Sequence, residues 1–283
     1  MNLIIILISI AIDKFSRDIQ NLRRFEWFRR YQRQCLAMLP QDWSGTLRLV
    51  LLLALPLILL ELILAALPGL FDFLLAVAVL VLCLGPRDLT EQVQEYLDAC
   101  EREDQEAAAR HAAELCGTPT AEGPAQISQV IDRILIEINE RYLAVIFWFV
   151  VLGPFGALLY RLTALARRAP DAAEFDTALL EAARGLHAIL AWLPARICAL
   201  SYALAGSMTD ALHNWREYDT EHARYFADRS TGLLIMAGRG ALSVDTVYTL
   251  DTDTVAQTLE LGNRALLIWI ILIALLTLFS LAF

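Results

Sequence analysis

Charge is what this sequence has least of. Of 283 residues only 19% are charged while 58% are hydrophobic, against about a quarter and a half in soluble domains. That balance excludes a disordered chain and an ordinary water-facing surface. Basic residues are the scarcer sign, 23 Lys and Arg against 32 Asp and Glu for a net charge of −9, which argues against nucleic acid as a partner. The five cysteines (Cys35, Cys83, Cys100, Cys116 and Cys198) are odd in number and form no CxxC. A disulfide framework or structural zinc is therefore not expected, and they read as small apolar fillers. No GxGxxG, Walker, GxSxG or HExxH sequence occurs, Gly238-Arg239-Gly240 is too short for a nucleotide loop, and the Asp251/Asp253 spacing does not make an EF-hand. What remains is a membrane protein.

Two uncharged runs of nineteen residues stand out, Tyr142–Tyr160 between Arg141 and Arg161, and Ala265–Phe283 after Arg264. Each is long enough to cross the hydrocarbon layer as a helix. Residues 47–67 and 70–85 read as a hairpin turned at Pro68-Gly69, with Pro56 implying a kink whose freed carbonyl finds another partner. Glu61 and Asp72 are either functional acids at depth or interfacial residues around the turn. Met1–Ile12 is too short to cross and lacks a basic leader or an A-x-A site, so it does not read as a secretory signal. From Asp13 to about Gln34 come Lys14, Arg17, Arg23, Arg24, Arg29, Arg30 and Arg33, interleaved with Ile19, Leu22, Phe25 and Phe28. This pattern predicts a basic interfacial helix on the cytoplasmic side, within 13–46. A four-span count then places Arg161, Arg167 and Arg168 outside, against the charge rule. Either Pro154 and Gly156 break 142–160 into a re-entrant hairpin, or Ala188–Ala205 enters the membrane as well.

The polar segments are helical too. Residues 87–117 predict an acidic helix with Val93, Leu97 and Cys100 inward, ended at Gly117-Thr118-Pro119, and the acids at 101–106 read as a solvated face. From Gln126, the residues Ile127, Val130, Ile131, Ile134, Leu135 and Ile138 recur at helical spacing. Another helix is expected from about Ala172 to Ala188. Asp210, His213, Glu217 and Glu221 line one side of a helix, weak candidates for a metal against the simpler reading of a solvent face. His222, Tyr218, Tyr225 and Phe226 would form its packing side, while His111 and His187 carry no assignment. Arg196, beside Pro194, either forks onto an anion or pairs internally. Thr254 with Gln257 makes a capping box for the last helix.

The run from Asn139 through Phe147-Trp148, then Gly153-Pro154-Phe155-Gly156-Ala157-Leu158-Leu159-Tyr160-Arg161, resembles the AmpE family of inner-membrane proteins. So do the basic start, the hairpin at 47–85 and Trp192-Leu193-Pro194-Ala195-Arg196, over essentially the whole chain. The resemblance implies a signalling modulator tied to β-lactamase regulation and cell-wall recycling. The same stretches are similar, more distantly, to the cobalamin-synthesis enzyme that attaches the aminopropanol arm to adenosylcobyric acid. There the Asn-Thr-Leu-Asp position reads Thr163-Ala164-Leu165-Ala166, the aspartate pair aligns on His187-Ala188, and the Gly-Arg-Asp on Gly117-Thr118-Pro119. The oxygen ligands that Mg²⁺ with ATP requires are thus missing from those places, unless Glu137, Glu140, Asp210 or Glu217 replaces them.

The expectation is an all-α polytopic membrane protein of about four transmembrane helices plus amphipathic and membrane-associated ones, multi-pass in the cell inner membrane. Residues 1–283 form a single membrane-embedded domain: 13–46 basic, 47–85 a hairpin, 86–141 an acidic loop, 142–160 spanning or re-entrant, 161–264 helical and polar, and 265–283 the last span. The ligand-binding set is Asn139, Glu140, Arg141, Trp148, Tyr160, Arg161, Trp192 and Arg196, with no catalytic residue and no cofactor. Partners are the lipid bilayer and a small anionic ligand or a partner protein, with no nucleic acid and the oligomeric state open. The alternatives are an ATP- and Mg²⁺-dependent amide-forming enzyme and a membrane scaffold.

Overall fold

The structure, a computed structural model, describes residues 2–15, 25–40, 42–67, 69–85, 88–168, 177–221, 226–244 and 250–282. Among them the regular structure is helical throughout: α1 (Asn2–Phe15), α2 (Glu26–Met38), α3 (Gly45–Ala66), α4 (Leu70–Cys83), α5 (Leu89–Glu101), α6 (Gln105–Cys116), α7 (Pro124–Ile138), a π-helical turn (Asn139–Leu143), α8 (Ala144–Ala166), α9 (Thr177–Ala205), α10 (Met208–Glu221), α11 (Phe226–Ala241) and α12 (Thr252–Ala282). Four stretches are long and apolar enough to cross a membrane, namely Gly45–Ala66, Pro124–Ala166, Thr177–Ala205 and Thr252–Phe279. The all-α, multi-pass class read from composition is therefore the observed one. Lys14's side chain, and Arg17, Ile19, Leu22, Arg23, Arg24, His222 and Tyr225, lie outside the described residues, as does the side chain of Phe226.

Contacts divide the chain into two units, Met1–Pro86 with Ala144–Trp192, and Arg87–Leu143 with Leu193–Phe283. In the first, the Ser44 hydroxyl accepts the Leu47 amide at 3.3 Å and starts α3. Gly69, at φ +59°, turns the chain into α4, a left-handed position that glycine adopts without steric cost. Asp72 sits in the first turn of α4 and Glu61 is exposed near the end of α3. Pro56 lies inside α3; having no N–H, it leaves the carbonyl four residues earlier without a helical donor. That carbonyl belongs to Leu52, and the Tyr31 hydroxyl donates to it at 3.1 Å. Tyr31 comes from α2, whose Phe28 is buried while Arg29, Arg30 and Arg33 are exposed, the division of faces an interfacial helix needs. Phe25 and Phe28 join Leu49, Leu52, Leu162 and Leu179 in one apolar core. Beside it, Trp27, Tyr31, Leu55, Pro56, Leu59 and Ile63 line an open groove of about 330 Å³.

The uncharged run 142–160 is not a straight rod. Gly153 leaves the helical region at φ 66°, ψ −155°. A Cβ built on Gly156 would lie 2.3 Å from the Trp148 carbonyl oxygen, although residues eight apart in a straight helix are separated by about 12 Å. The two halves of α8 therefore lie alongside each other, and Gly156 is the close-approach point that permits it.

In the second unit, residues 87–117 form two helices where one is expected. Glu103, at φ +55°, makes the turn between α5 and α6, and the Asp88 and Asp104 carboxylates cap them through the Thr90 and Ala107 amides at 2.9 and 3.0 Å. The inward stripe is Leu89, Val93, Tyr96 and Ala99, so Leu97 and Cys100 sit at its margin. Pro124 occupies the first turn of α7, where its missing N–H costs nothing, and Val130, Ile131, Ile134, Leu135 and Ile138 are buried as their spacing predicts. The last helix is capped one turn earlier than Thr254 with Gln257 suggests. The Asp251 carboxylate accepts both the amide and the hydroxyl of Thr254, at 2.8 and 2.6 Å, which places Thr254 inside the helix.

Removing one hydroxyl tests the proline account. Tyr31→Phe strands the Leu52 carbonyl and should lower stability by about 1–3 kcal/mol, read as a lower thermal midpoint in lipid nanodiscs, whereas Tyr31→Phe combined with Pro56→Ala, which restores the helical donor, should recover most of the loss.

Candidate functional site

The residues singled out from sequence are shared between the two units. Trp148, Tyr160, Arg161 and Trp192 belong to the first; Asn139, Glu140, Arg141 and Arg196 belong to the second.

In the first unit, Trp148 repeats the device seen at Pro56. Pro194 lies inside α9 and frees the carbonyl of Leu190, and the Trp148 indole N–H donates to that oxygen at 3.0 Å. Trp148 is thus a brace, and Trp192 is 39% exposed. Tyr160 and Arg161 follow the reversal at Gly153 and are both buried. The Tyr160 ring meets the His187 imidazole with centroids 5.2 Å apart, and the Arg161 guanidinium lies 5.8 Å from the centre of the Phe25 ring. Arg48 is buried in the same unit. A guanidinium with aromatic walls retains its charge while losing much of its water. His187, which the sequence leaves unassigned, is therefore brought beside Tyr160, one of the named residues.

In the second unit the π-helical turn carries Asn139, Glu140 and Arg141 inward, and all three are buried. Such a turn inserts one residue into the helical ladder and commonly marks a functional position. The Asn139 side-chain oxygen is buried with no hydrogen-bond donor. Arg141 is engaged instead: Nε donates to the Glu137 carboxylate, and Nη1 donates to the Gln92 side-chain oxygen at 2.7 Å. Arg133 pairs with that same carboxylate and donates through Nε to the Leu115 carbonyl at 3.2 Å. Arg239 reaches Asp132 through two bonds of 2.7 and 2.8 Å and Ser128 at 2.6 Å. Arg196 is half-buried within electrostatic reach of Arg229 and Asp219, which are themselves bonded at 2.9 Å.

The helical ridge with metal-binding spacing is dispersed. Asp210 accepts the Ser207 and Ser243 hydroxyls at 2.7 and 3.0 Å, which hold its carboxyl below the usual carboxylate range. His213 and Glu217 face each other at 3.9 Å, both exposed, and the side chain of Glu221 lies outside the described residues. A different group converges among the described residues: Glu95, His111 and Glu114. Burial pushes the Cys100 and Cys116 thiols up, in keeping with inert fillers.

Glu137 holds two guanidiniums, so Glu137→Gln leaves the buried Arg141 and the half-buried Arg133 without their shared carboxylate. A loss of about 3–5 kcal/mol is expected, seen as reduced folded yield and a lower thermal midpoint; Gln92→Ala, which removes a neutral partner, should cost about 1–3 kcal/mol.

Known proteins bear on this arrangement. The family model described as "Regulatory signalling modulator protein AmpE" matches residues 1–282. The chain is 34% identical over 199 residues to the "Cobalamin biosynthesis protein CobD" of Stutzerimonas stutzeri, covering 68% of this chain and 63% of that one. Against the CobD of Chromobacterium violaceum the identity is 32% over 205 residues, 71% and 63% of the two chains. With "Protein AmpE" of Shigella flexneri it is 31% over 143 residues, 48% and 50%. The matches thus cover less than two thirds of each relative's length. No solved structure matches the chain. A full-length family match on a chain with four helices long and apolar enough to cross a membrane makes it a multi-pass inner-membrane member of the AmpE family, distantly similar to the CobD proteins.

Proposed function

We propose that this protein is a non-catalytic inner-membrane signalling modulator, linked to cell-wall recycling and β-lactamase regulation, that reads a small anionic ligand through the cluster around Arg161. The carrying observation is a guanidinium held in the interior of the first unit against Phe25, in the same unit as the Tyr160–His187 pair. Ionisable groups at such depth are costly and mark function by default. Arg161 supplies charge and a planar fork for a carboxylate or phosphate, while Tyr160 and His187 add hydrogen-bonding groups on one aromatic wall. Arg141, bonded to Glu137 and Gln92, acts as a brace.

The non-catalytic part rests on where the acids are. Activation of a carboxylate by ATP needs Mg²⁺ on convergent oxygen ligands. Glu137 is taken by Arg133 and Arg141, and Asp132 by Arg239. At the Asn-Thr-Leu-Asp position, the Thr163 hydroxyl donates to the Leu159 carbonyl of its own helix at 2.7 Å, and Ala164 and Ala166 are buried. The similarity to the CobD proteins keeps the amide-forming enzyme as the rival reading.

A thermal-shift series in lipid nanodiscs separates the two. A ligand bound only by the folded protein at a hundred times its dissociation constant adds about 2.7 kcal/mol, a rise of several degrees. Anhydromuropeptides or their free peptides should produce it, Arg161→Gln should abolish it, and Arg161→Lys should keep part of it. A rise that instead requires ATP, Mg²⁺ and a corrinoid carboxylate together would overturn the proposal.

A further inference from the structure

The α5–α6 hairpin carries a second constellation. His111 and Glu114 are three residues apart on α6 and so share a face, and the hairpin sets Glu95 of α5 opposite them. One ligand atom from each of the three lies within 4.8 Å of the other two. The His111 Nδ1 is 3.6 Å from a Glu95 carboxylate oxygen, and that nitrogen is closed to solvent without a hydrogen bond. The group thus offers one imidazole nitrogen and two carboxylate oxygens, a donor set that suits a divalent cation.

The distances suit a small ion. Tetrahedral zinc, with bonds of about 2.0–2.2 Å, holds its ligands roughly 3.4 Å apart. The His111–Glu95 pair is already near that spacing, and Glu114, exposed at the helix surface, closes the rest by side-chain rotation. One nitrogen and two carboxylate oxygens suit Zn²⁺, Co²⁺ or Mn²⁺ and disfavour Cu(I), which selects sulfur. Cys100 and Cys116, in the same hairpin, are not members of the group.

We propose that Glu95, His111 and Glu114 bind one divalent transition-metal ion of the zinc type, which fastens α5 to α6 outside the apolar spans, with water completing its shell. The inference is independent of the Arg161 reading, because it uses none of those residues and no anionic ligand.

The test uses the full chain, stripped with a chelator and held in nanodiscs. Zn²⁺ titrated calorimetrically should bind with one equivalent and raise the thermal midpoint. His111→Ala and Glu114→Gln should each weaken binding at least tenfold and cancel the rise. Co²⁺ should give visible d–d bands without sulfur-to-cobalt charge transfer. Retained affinity in both variants, or charge-transfer bands that place the ion on cysteine, would overturn the site. Absence of saturable binding would reduce it to a His111–Glu95 ion pair. Should His111→Ala fail to fold, Glu114→Gln decides, since that side chain is exposed.

Discussion

A backbone carbonyl that has lost its helical donor inside an apolar layer must find another, because no water is there to supply one. The first unit is organised around that requirement. Pro56 frees the carbonyl of Leu52 and Tyr31 answers it; Pro194 frees that of Leu190 and Trp148 answers it. In both cases the donor is an aromatic side chain, apolar along its body and polar at one atom, so the bond is made without bringing water or charge with it. Each bond also joins two helices, α2 to α3 and α8 to α9. Prolines that would otherwise be weak points become the places where neighbouring helices are fastened.

The second unit meets the corresponding difficulty with charges. Glu137 lies between Arg133 and Arg141, and Asp132 takes both arms of Arg239. Ion pairs removed from water return little net stability, yet each partner becomes indispensable once the other is present. Glu137 and Asp132 are thereby committed to holding α7 in place. The charges of this unit thus serve its helices, α7 above all.

Much of the fold was legible because hydrophobic runs and helical spacing are local properties. Tyr142–Tyr160 and Ala265–Phe283 announce themselves by the absence of charge, and the α7 stripe by its period. The failures are equally specific. Nothing between Glu101 and Gln105 is a proline or glycine, so the turn made by Glu103 in a left-handed conformation leaves no signal. Gly153-Pro154 suggests a break, but the closeness of Gly156 to the Trp148 carbonyl is a property of three-dimensional packing. At the candidate sites the partners are far apart in sequence: Gln92 lies 49 residues before Arg141, and His187 finds Tyr160 only because α8 and α9 pack together. Glu95, His111 and Glu114 converge only once residues 87–117 are divided into two helices.

The Tyr31 bond ties a helix with the composition of the membrane surface to the proline of a helix long and apolar enough to cross it. α2 lies with its arginines outward and its phenol on the Leu52 carbonyl, so lifting α2 bares a carbonyl to hydrocarbon at a cost of about 1–3 kcal/mol. That cost opposes any separation of α2 from α3. A displacement of α2 at the surface would thus be felt, through that one hydroxyl, at the middle of α3.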